Sequence, residues 1–160
     1  MEAYLDNSAT TRVDAQVQEL MKKLMDVDFG NPSSRHQKGV VAEGYIKEAR
    51  QKIAATLKVD PKEFIITSGG TESNNMALIG TALAAKRKGN HIITTAVEHP
   101  SVKATASFLE EQGFRITFLS VDSRGQISLE DLKKALTTDT ILVSIMYVNN
   151  EIGTIQPVEE

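Results

Sequence analysis

Residues 64–78 read FIITSGGTESNNMAL, and the change of pattern within this stretch decides the fold. An apolar, β-branched run ends at Ser68, two glycines follow, and an amphipathic pattern begins near Thr71. This order predicts a strand, a tight turn and a helix that starts at the turn. Glycines let backbone N–H groups approach an anion, and a helix N-terminus adds unpaired donors and partial positive charge. The stretch therefore predicts either an anion-binding turn or a tight turn with a Ser/Thr helix cap.

The residues after this stretch continue to alternate between the two patterns. Helical segments are indicated by Pro100 at a first helical position, by Gly113 just past a helix end and by a start after Ser128. Two more helical patterns come earlier, at residues 15–25 and 42–57. This alternation predicts an α/β fold with a mostly parallel sheet flanked by helices. The predicted strands are FIITS (64–68), HIITT (91–95), RITFLSV (115–121) and ILVSIMYV (141–148), a small sheet whose exposed edge indicates an incomplete domain.

Composition excludes several classes of function. The 160 residues carry a net charge of −3 and only 5% aromatic residues, so no surface for nucleic acid is expected. There are no cysteines and the three histidines lack ligand spacing, so we expect no disulfide, metal site or cysteine nucleophile in these residues. No apolar run reaches the roughly 20 residues of a membrane span, and the N-terminus lacks the form of a signal peptide. These features favour a cytoplasmic protein.

Polar side chains follow three of the four predicted strands. Ser68–Asn75 follows the first, Glu98–Pro100 the second and Asn149–Glu151 the fourth. Ligands bind beyond the carboxyl ends of parallel strands, so we expect these groups to converge on one edge of the sheet. Each group also has a plain structural interpretation, because His99 could cap a helix and the paired asparagines could form a turn. The glycine turn matches neither the dinucleotide fingerprint nor the P-loop, so only the expected convergence favours a common site.

Five segments together are typical of one protein family: YLDNSATT (4–11), FGNPSSRH (29–36), TSGGTESNN (67–75), EH (98–99) and ILVSIMYVNNEIGTIQP (141–157). In order and spacing they resemble the cysteine desulfurases, pyridoxal-phosphate (PLP) enzymes of the class V aminotransferase group with fold type I. The resemblance implies that residues 15–160 are an incomplete PLP-binding large domain and that residues 1–14 associate with the small domain. It also implies a transferase that takes sulfur from L-cysteine, leaves L-alanine and passes the sulfur to an acceptor protein for iron–sulfur cluster assembly or thiolation. The complete enzyme is expected to be a homodimer.

The resemblance also assigns roles to individual residues. By similarity, Gly70 and Thr71 hold the PLP phosphate, His99 stacks on the pyridine ring, and Asn150 hydrogen-bonds the phenolic oxygen. The loop at residues 31–36, which includes His36, is expected close to the active site. The residues expected to line the substrate side are Asn7, Ser8, Ala9 and Thr10.

Several groups that the family needs are expected beyond Glu160. The family carries its Schiff-base lysine in a Ser-x-His-Lys context, but no lysine here follows Lys134, and there is no cysteine to accept sulfur. We therefore interpret the sequence as the N-terminal portion of a desulfurase and expect these residues alone to be inactive. Two alternatives stay open. One is another class V enzyme, a selenocysteine lyase or a transaminase, and the other is a genuine short, non-catalytic binding module completed by a partner chain.

Overall fold

The computed structural model describes residues 2–160, which form five helices and three strands. Contacts divide the chain into two compact units, one ending at Ile66 and the other spanning Thr67–Glu160. The first unit contains two helices, α1 (Ala15–Asp26) and α2 (Gln37–Leu57). The elements of the second unit are α3 (Gly70–Ala85), β1 (His91–Thr95), α4 (Pro100–Glu111), β2 (Arg115–Leu119), α5 (Leu129–Ala135) and β3 (Thr140–Val143).

In the first unit, a glycine-rich loop is packed against the start of α2. The His36 side chain caps this helix, because its Nδ1 accepts the N–H of Gly39 at 3.3 Å. A Cβ on Gly39 would overlap the carbonyl of Ser34, and one on Gly30 would overlap the carbonyl of Lys38. Only glycine fits at these two positions, so the shape of the loop at residues 29–36 is fixed by close backbone contact.

A polar network joins the middle of α2 to the residues after α1. The Tyr45 hydroxyl donates to Asp28 Oδ2 at 2.7 Å, and Lys23 Nζ lies 3.4 Å from the same oxygen. The hydrogen bond from Tyr45 is the main reason that the pKa of Asp28 lies below its usual value. Further along α2, Arg50 donates to the carbonyl of Pro61 at 2.8 Å, which fastens the chain that follows this helix.

In the second unit, a parallel three-stranded sheet has the order β2-β1-β3. Every residue of the central strand β1 is buried, as expected for a strand covered on both faces. Successive residues of β1 point to opposite faces of the sheet. Ile92 packs with Leu78 of α3 and Leu109 of α4. Ile93 packs with Leu119 on the other face, which α5 covers. The core therefore lies on both sides of β1.

The predicted helices are confirmed, together with the signals that end them. Helix α4 begins at Pro100 and ends in a Schellman arrangement, in which Gly113 N–H donates to Glu110 O at 2.9 Å and Phe114 N–H to Leu109 O at 3.0 Å. Gly113 has φ +88°, a left-handed conformation that favours glycine. At the start of α5, the Ser128 hydroxyl accepts the N–H of Asp131 at 3.2 Å.

The α/β class with a parallel sheet is confirmed, but the predicted strand at 64–68 is wrong. Residues 64–67 have no regular structure, and the side chains of Ile65 and Ile66 are 68% and 55% exposed. No strand among residues 2–160 pairs with this segment, and an unpaired strand would leave its backbone donors and acceptors unsatisfied. The predicted strands at 115–121 and 141–148 are shorter, as β2 and β3, and beyond them Val121 pairs with Ile127 and Val148 with Ile155 in isolated antiparallel bridges.

His91 ties the three strands together at the amino end of the sheet. Its ring is fully buried, with Nδ1 2.8 Å from Thr140 Oγ1 on β3 and Nε2 2.8 Å from Thr117 Oγ1 on β2. Burial, reinforced by the nearby Arg115 charge, lowers the pKa of His91, and Asp139 opposes this shift. His91 therefore acts as a neutral cross-strand link.

Candidate functional site

The glycine turn leaves the start of α3 open. Gly69 provides no side-chain cap, and the first intrahelical hydrogen bond runs from Ser73 N–H to Gly69 O, so the N–H groups of Gly70 and Thr71 lack acceptors among the described residues. A Cβ placed on Gly70 would meet nothing within 4 Å. Glycine is therefore not required here by packing, and the space beside it is available to a ligand. The alternative of a Ser/Thr cap is not what the structure shows.

Some hydroxyls around this turn form hydrogen bonds within it, and one does not. Glu72 Oε2 accepts the N–H of Ser68 at 2.6 Å and its hydroxyl at 2.7 Å, and these bonds lower the pKa of Glu72. Thr67 and Ser73 pair through their hydroxyls at 2.7 Å. The Thr71 hydroxyl, by contrast, is exposed and makes no hydrogen bond to residues 2–160. Thr71 is thus the side chain of this turn that remains free to bind an anion.

The junction between β1 and α4 presents an imidazole ring. His99 caps α4, with Nδ1 accepting the N–H of Ser101 at 3.1 Å, and the ring is exposed. The Ser101 hydroxyl also receives a hydrogen bond from Asn74 Nδ2 of α3 at 2.9 Å. Both interpretations of His99 are therefore compatible, since one ring nitrogen caps the helix while the rest of the ring stays accessible.

Two buried side chains connect this junction to the chain after β3. Glu98 is 5% exposed, and its Oε1 accepts the N–H of Met146 at 2.7 Å and the Thr95 hydroxyl at 3.2 Å. Asn149 Nδ2 donates to Val97 O at 3.0 Å. Burial raises the pKa of Glu98. The ends of β1 and β3 therefore converge, as the parallel sheet predicted, although the sequence did not single out Glu98 as a site residue.

The paired asparagines divide their roles. Asn149 is buried, and its Oδ1 accepts the N–H groups of Glu151 and Ile152 at 2.9 and 3.0 Å, which makes it the turn former. Asn150 is exposed, and its carboxamide donates to Glu151 Oε1 at 2.8 Å. The side chain that the family resemblance assigns to the cofactor is thus the accessible one of the pair.

The predicted substrate-side residues lie in the first unit. They form an exposed turn, in which the N–H of Ala9 donates to Asp6 O at 3.2 Å and Asn7 Nδ2 donates to Tyr4 O at 3.3 Å. The substrate-side role of Asn7, Ser8, Ala9 and Thr10 stays a prediction, and so do the cofactor roles of Gly70, Thr71, His99 and Asn150. Within residues 2–160, no helix is long and apolar enough to cross a membrane, and no acidic or histidine cluster could hold a metal ion.

The geometry suits an anionic ligand with a flat, polar ring. Free N–H groups and a hydroxyl lie at the start of α3, which Asn74 and Ser101 link to the turn carrying His99. The Glu98 and Asn149 hydrogen bonds link that turn to the loop carrying Asn150. Helix N-termini stabilise phosphate groups, and an exposed imidazole can stack on an aromatic ring. This part of the chain therefore fits a phosphorylated aromatic ligand.

Comparison with known proteins identifies the family. The family described as Aminotransferase class-V matches residues 3–160. The cysteine desulfurase IscS of Dictyoglomus turgidum is 54% identical over 159 residues, which are 99% of this chain and 40% of that protein. A solved NifS-like protein has a TM-score of 0.94 and 46% identity over 99% of this chain and 44% of its own. The structure of SspA in complex with cysteine has a TM-score of 0.87 and 41% identity over 95% of this chain and 44% of its own. The chain thus spans less than half the length of these relatives, and several curated relatives are named cysteine desulfurase. It belongs to the class V aminotransferase family.

Proposed function

We propose that the chain is the N-terminal part of a PLP-dependent cysteine desulfurase. The observation that carries this proposal is the open start of α3, with unpaired N–H groups and free space beside Gly70, on the sheet edge that also presents His99 and Asn150. The proposed reaction breaks the Cβ–S bond of L-cysteine, leaves L-alanine, and passes the sulfur to an acceptor protein. The high identity to IscS proteins and to a protein solved in complex with cysteine supports this substrate.

Each proposed contact uses a group that the described residues leave free. The N–H groups of Gly70 and Thr71 and the Thr71 hydroxyl would hold the phosphate of PLP. The exposed ring of His99 would stack on the pyridine, and the Asn150 carboxamide would donate to the phenolic oxygen. PLP, when bound, draws electrons from the Cα of an amine substrate. The protein's task here is to fix the orientation of that ring.

The rest of the proposal concerns the complete protein. The 160 residues contain no cysteine that could receive sulfur, so we propose that they do not catalyse desulfuration by themselves. We propose a cytoplasmic homodimer in which residues 1–14 associate with the small domain and residues 15–160 form an incomplete PLP-binding large domain. The substrate-side role of Asn7 to Thr10 belongs to the same proposal.

The test uses the protein expressed from its native gene. We expect PLP to be retained, with alanine formed from L-cysteine. Replacing Thr71 with Val should weaken PLP retention by roughly tenfold to a hundredfold, because a hydrogen bond to a charged group is lost. The matched control is Ser73→Ala, two residues further along α3, whose hydroxyl bonds Thr67 and the backbone. Retention that is equal in both variants, or no PLP in the parent, would overturn the proposal.

Analysis of the products distinguishes a cysteine desulfurase from the other class V enzymes considered, a selenocysteine lyase and a transaminase. A lyase specific for selenocysteine would release alanine from L-selenocysteine and leave L-cysteine intact. A transaminase would convert an amino acid to its keto acid with no loss of sulfur. Alanine formed from L-cysteine in step with sulfur transfer supports the desulfurase assignment over both.

A further inference from the structure

The chain after β3 forms a loop that carries Asn150 at an exposed position. We call residues 144–156 the Asn150 loop. Its two arms are joined by hydrogen bonds from Asn149 N–H to Thr154 O at 2.9 Å and from Gln156 N–H to Tyr147 O at 2.8 Å, next to a bridge between Val148 and Ile155. Backbone bonds hold the loop together, and one more, from Ser144 N–H to Ile93 O at 2.9 Å, attaches its first residue to β1.

Side chains attach the Asn150 loop on one side to the end of β1. The Met146 N–H donates to the buried Oε1 of Glu98 at 2.7 Å, and Asn149 donates to Val97 O at 3.0 Å. On the other side, Gln156 is 2% exposed, donates to Gly125 O at 2.7 Å and accepts the N–H of Ile127 at 3.0 Å. Three buried polar side chains thus hold the loop, and Glu98 is the only ionisable one.

Glu98 also lies directly before His99 in the chain. Because its carboxylate binds the Asn150 loop, one residue couples the backbone that carries the imidazole to the loop that carries the carboxamide. A carboxylate makes a shorter and stronger hydrogen bond to an N–H than a neutral acceptor does. Burying that charge costs stability, which a residue with only a packing role would avoid. This cost favours a role in positioning.

We propose that Glu98 is a positioning residue that sets the place of Asn150 relative to His99 through its hydrogen bond to Met146 N–H. The consequence for the cofactor rests on the proposed function, whereas the consequence for the loop does not. Without the acceptor at Glu98, the part of the loop beyond Ser144 is held to the end of β1 by Asn149 alone, so residues 145–152 open more often and Asn150 loses its fixed position.

The first experiment measures amide hydrogen exchange in the native, complete protein. Glu98→Ala should speed exchange at residues 146–152 by roughly tenfold to a hundredfold, because a hydrogen bond to a buried charged group is removed. Glu98→Gln keeps an acceptor oxygen of the same reach and should restore slow exchange. The matched control is His91→Leu, which removes a buried polar side chain from the opposite end of β1. The inference is overturned if Glu98→Ala changes exchange at 146–152 no more than this control does.

The second experiment follows the visible absorption of the bound cofactor in a double-mutant cycle. Glu98→Ala and Asn150→Ala should shift the absorption maximum in the same direction, and Glu98→Ala should add no shift in the Asn150→Ala background. Glu98→Gln and His91→Leu should leave the maximum in place. Additive shifts would show that Glu98 acts independently of Asn150. If the native protein holds no PLP, the proposed function fails, and hydrogen exchange alone decides whether Glu98 positions the loop.

Discussion

The buried His91 ring makes folding stability depend on pH near neutrality. In the folded protein its pKa is lowered, chiefly by burial, so the unfolded chain binds the proton more readily. Stability from this group is therefore present above the unfolded pKa of about 6.5 and is lost as the pH falls towards the lower folded pKa. The loss approaches about 1.4 kcal/mol for each pH unit within that window, since one proton is involved.

Replacing His91 with Leu removes both the titration and the two cross-strand hydrogen bonds. The Thr117 hydroxyl would lose its partner, whereas Thr140 Oγ1 would keep the N–H of Thr137 at 2.9 Å. Two hydrogen bonds at about 1 kcal/mol each give an expected loss near 2 kcal/mol at pH 8, with the apolar gain of leucine offset by the unsatisfied hydroxyl. This difference should shrink as the pH falls below about 6.5, because only the parent is destabilised by protonation.

The assay is denaturant unfolding of the parent and the His91→Leu variant between pH 5 and 8. Other groups, including the buried Glu98 with its raised pKa, contribute to both proteins and cancel in the difference. The charges facing the ring are Arg115 on β2 and Asp139 before β3, and neither changes in the variant. If the difference in unfolding free energy between the parent and the variant stays constant across this range, the conclusion that folding keeps His91 neutral is refuted.

Four further substitutions test the packing and the polar network. Gly39→Ala should destabilise the protein by about 2 kcal/mol in denaturant unfolding, because a Cβ overlaps a loop carbonyl, whereas Gly44→Ala in open space should stabilise by about 0.5–1 kcal/mol. Thr94→Val should raise the unfolding free energy by about 1 kcal/mol, because its buried hydroxyl has no partner within residues 2–160; a fall would contradict this. Tyr45→Phe should raise the pKa of Asp28, read by NMR titration, and an unchanged pKa would rule out the hydroxyl as its main cause.

Local signals were sufficient to predict the helices. Pro100, Gly113 and Ser128 each act within one or two turns of chain, so their effect on a helix end can be read from neighbouring residues. The strand predicted at 64–68 failed for the opposite reason. Its β-branched composition is local, but a strand also needs a partner, and none of the described strands supplies one.

For the candidate site too, local sequence signals predicted only part of the structure. Convergence of the ends of β1 and β3 follows from the parallel sheet, and the sequence predicted it, whereas the strand that it placed before Ser68–Asn75 is not formed. The separate roles of Asn149 and Asn150 could not be predicted, because two identical adjacent residues differ here only in which side chain is buried. The bond from Met146 to Glu98 joins residues 48 positions apart, and no spacing rule identifies such a pair. The signal that was available was an acidic residue directly before His99 at the end of a buried strand.

The strand order β2-β1-β3 affects the rate at which the sheet folds. Both pairings involve β1, so neither edge strand can join the sheet before the central strand is in place. Each pairing also closes a parallel crossover, through α4 for β2 and through the longer segment containing α5 for β3, and such non-local closure is slow. We expect shortened side chains at Ile92 or Ile93 to slow refolding, and equivalent changes in β3 mainly to speed unfolding, with stopped-flow chevron plots as the measurement. Assembly of this sheet would then be limited by the ordering of five consecutive residues, His91–Thr95.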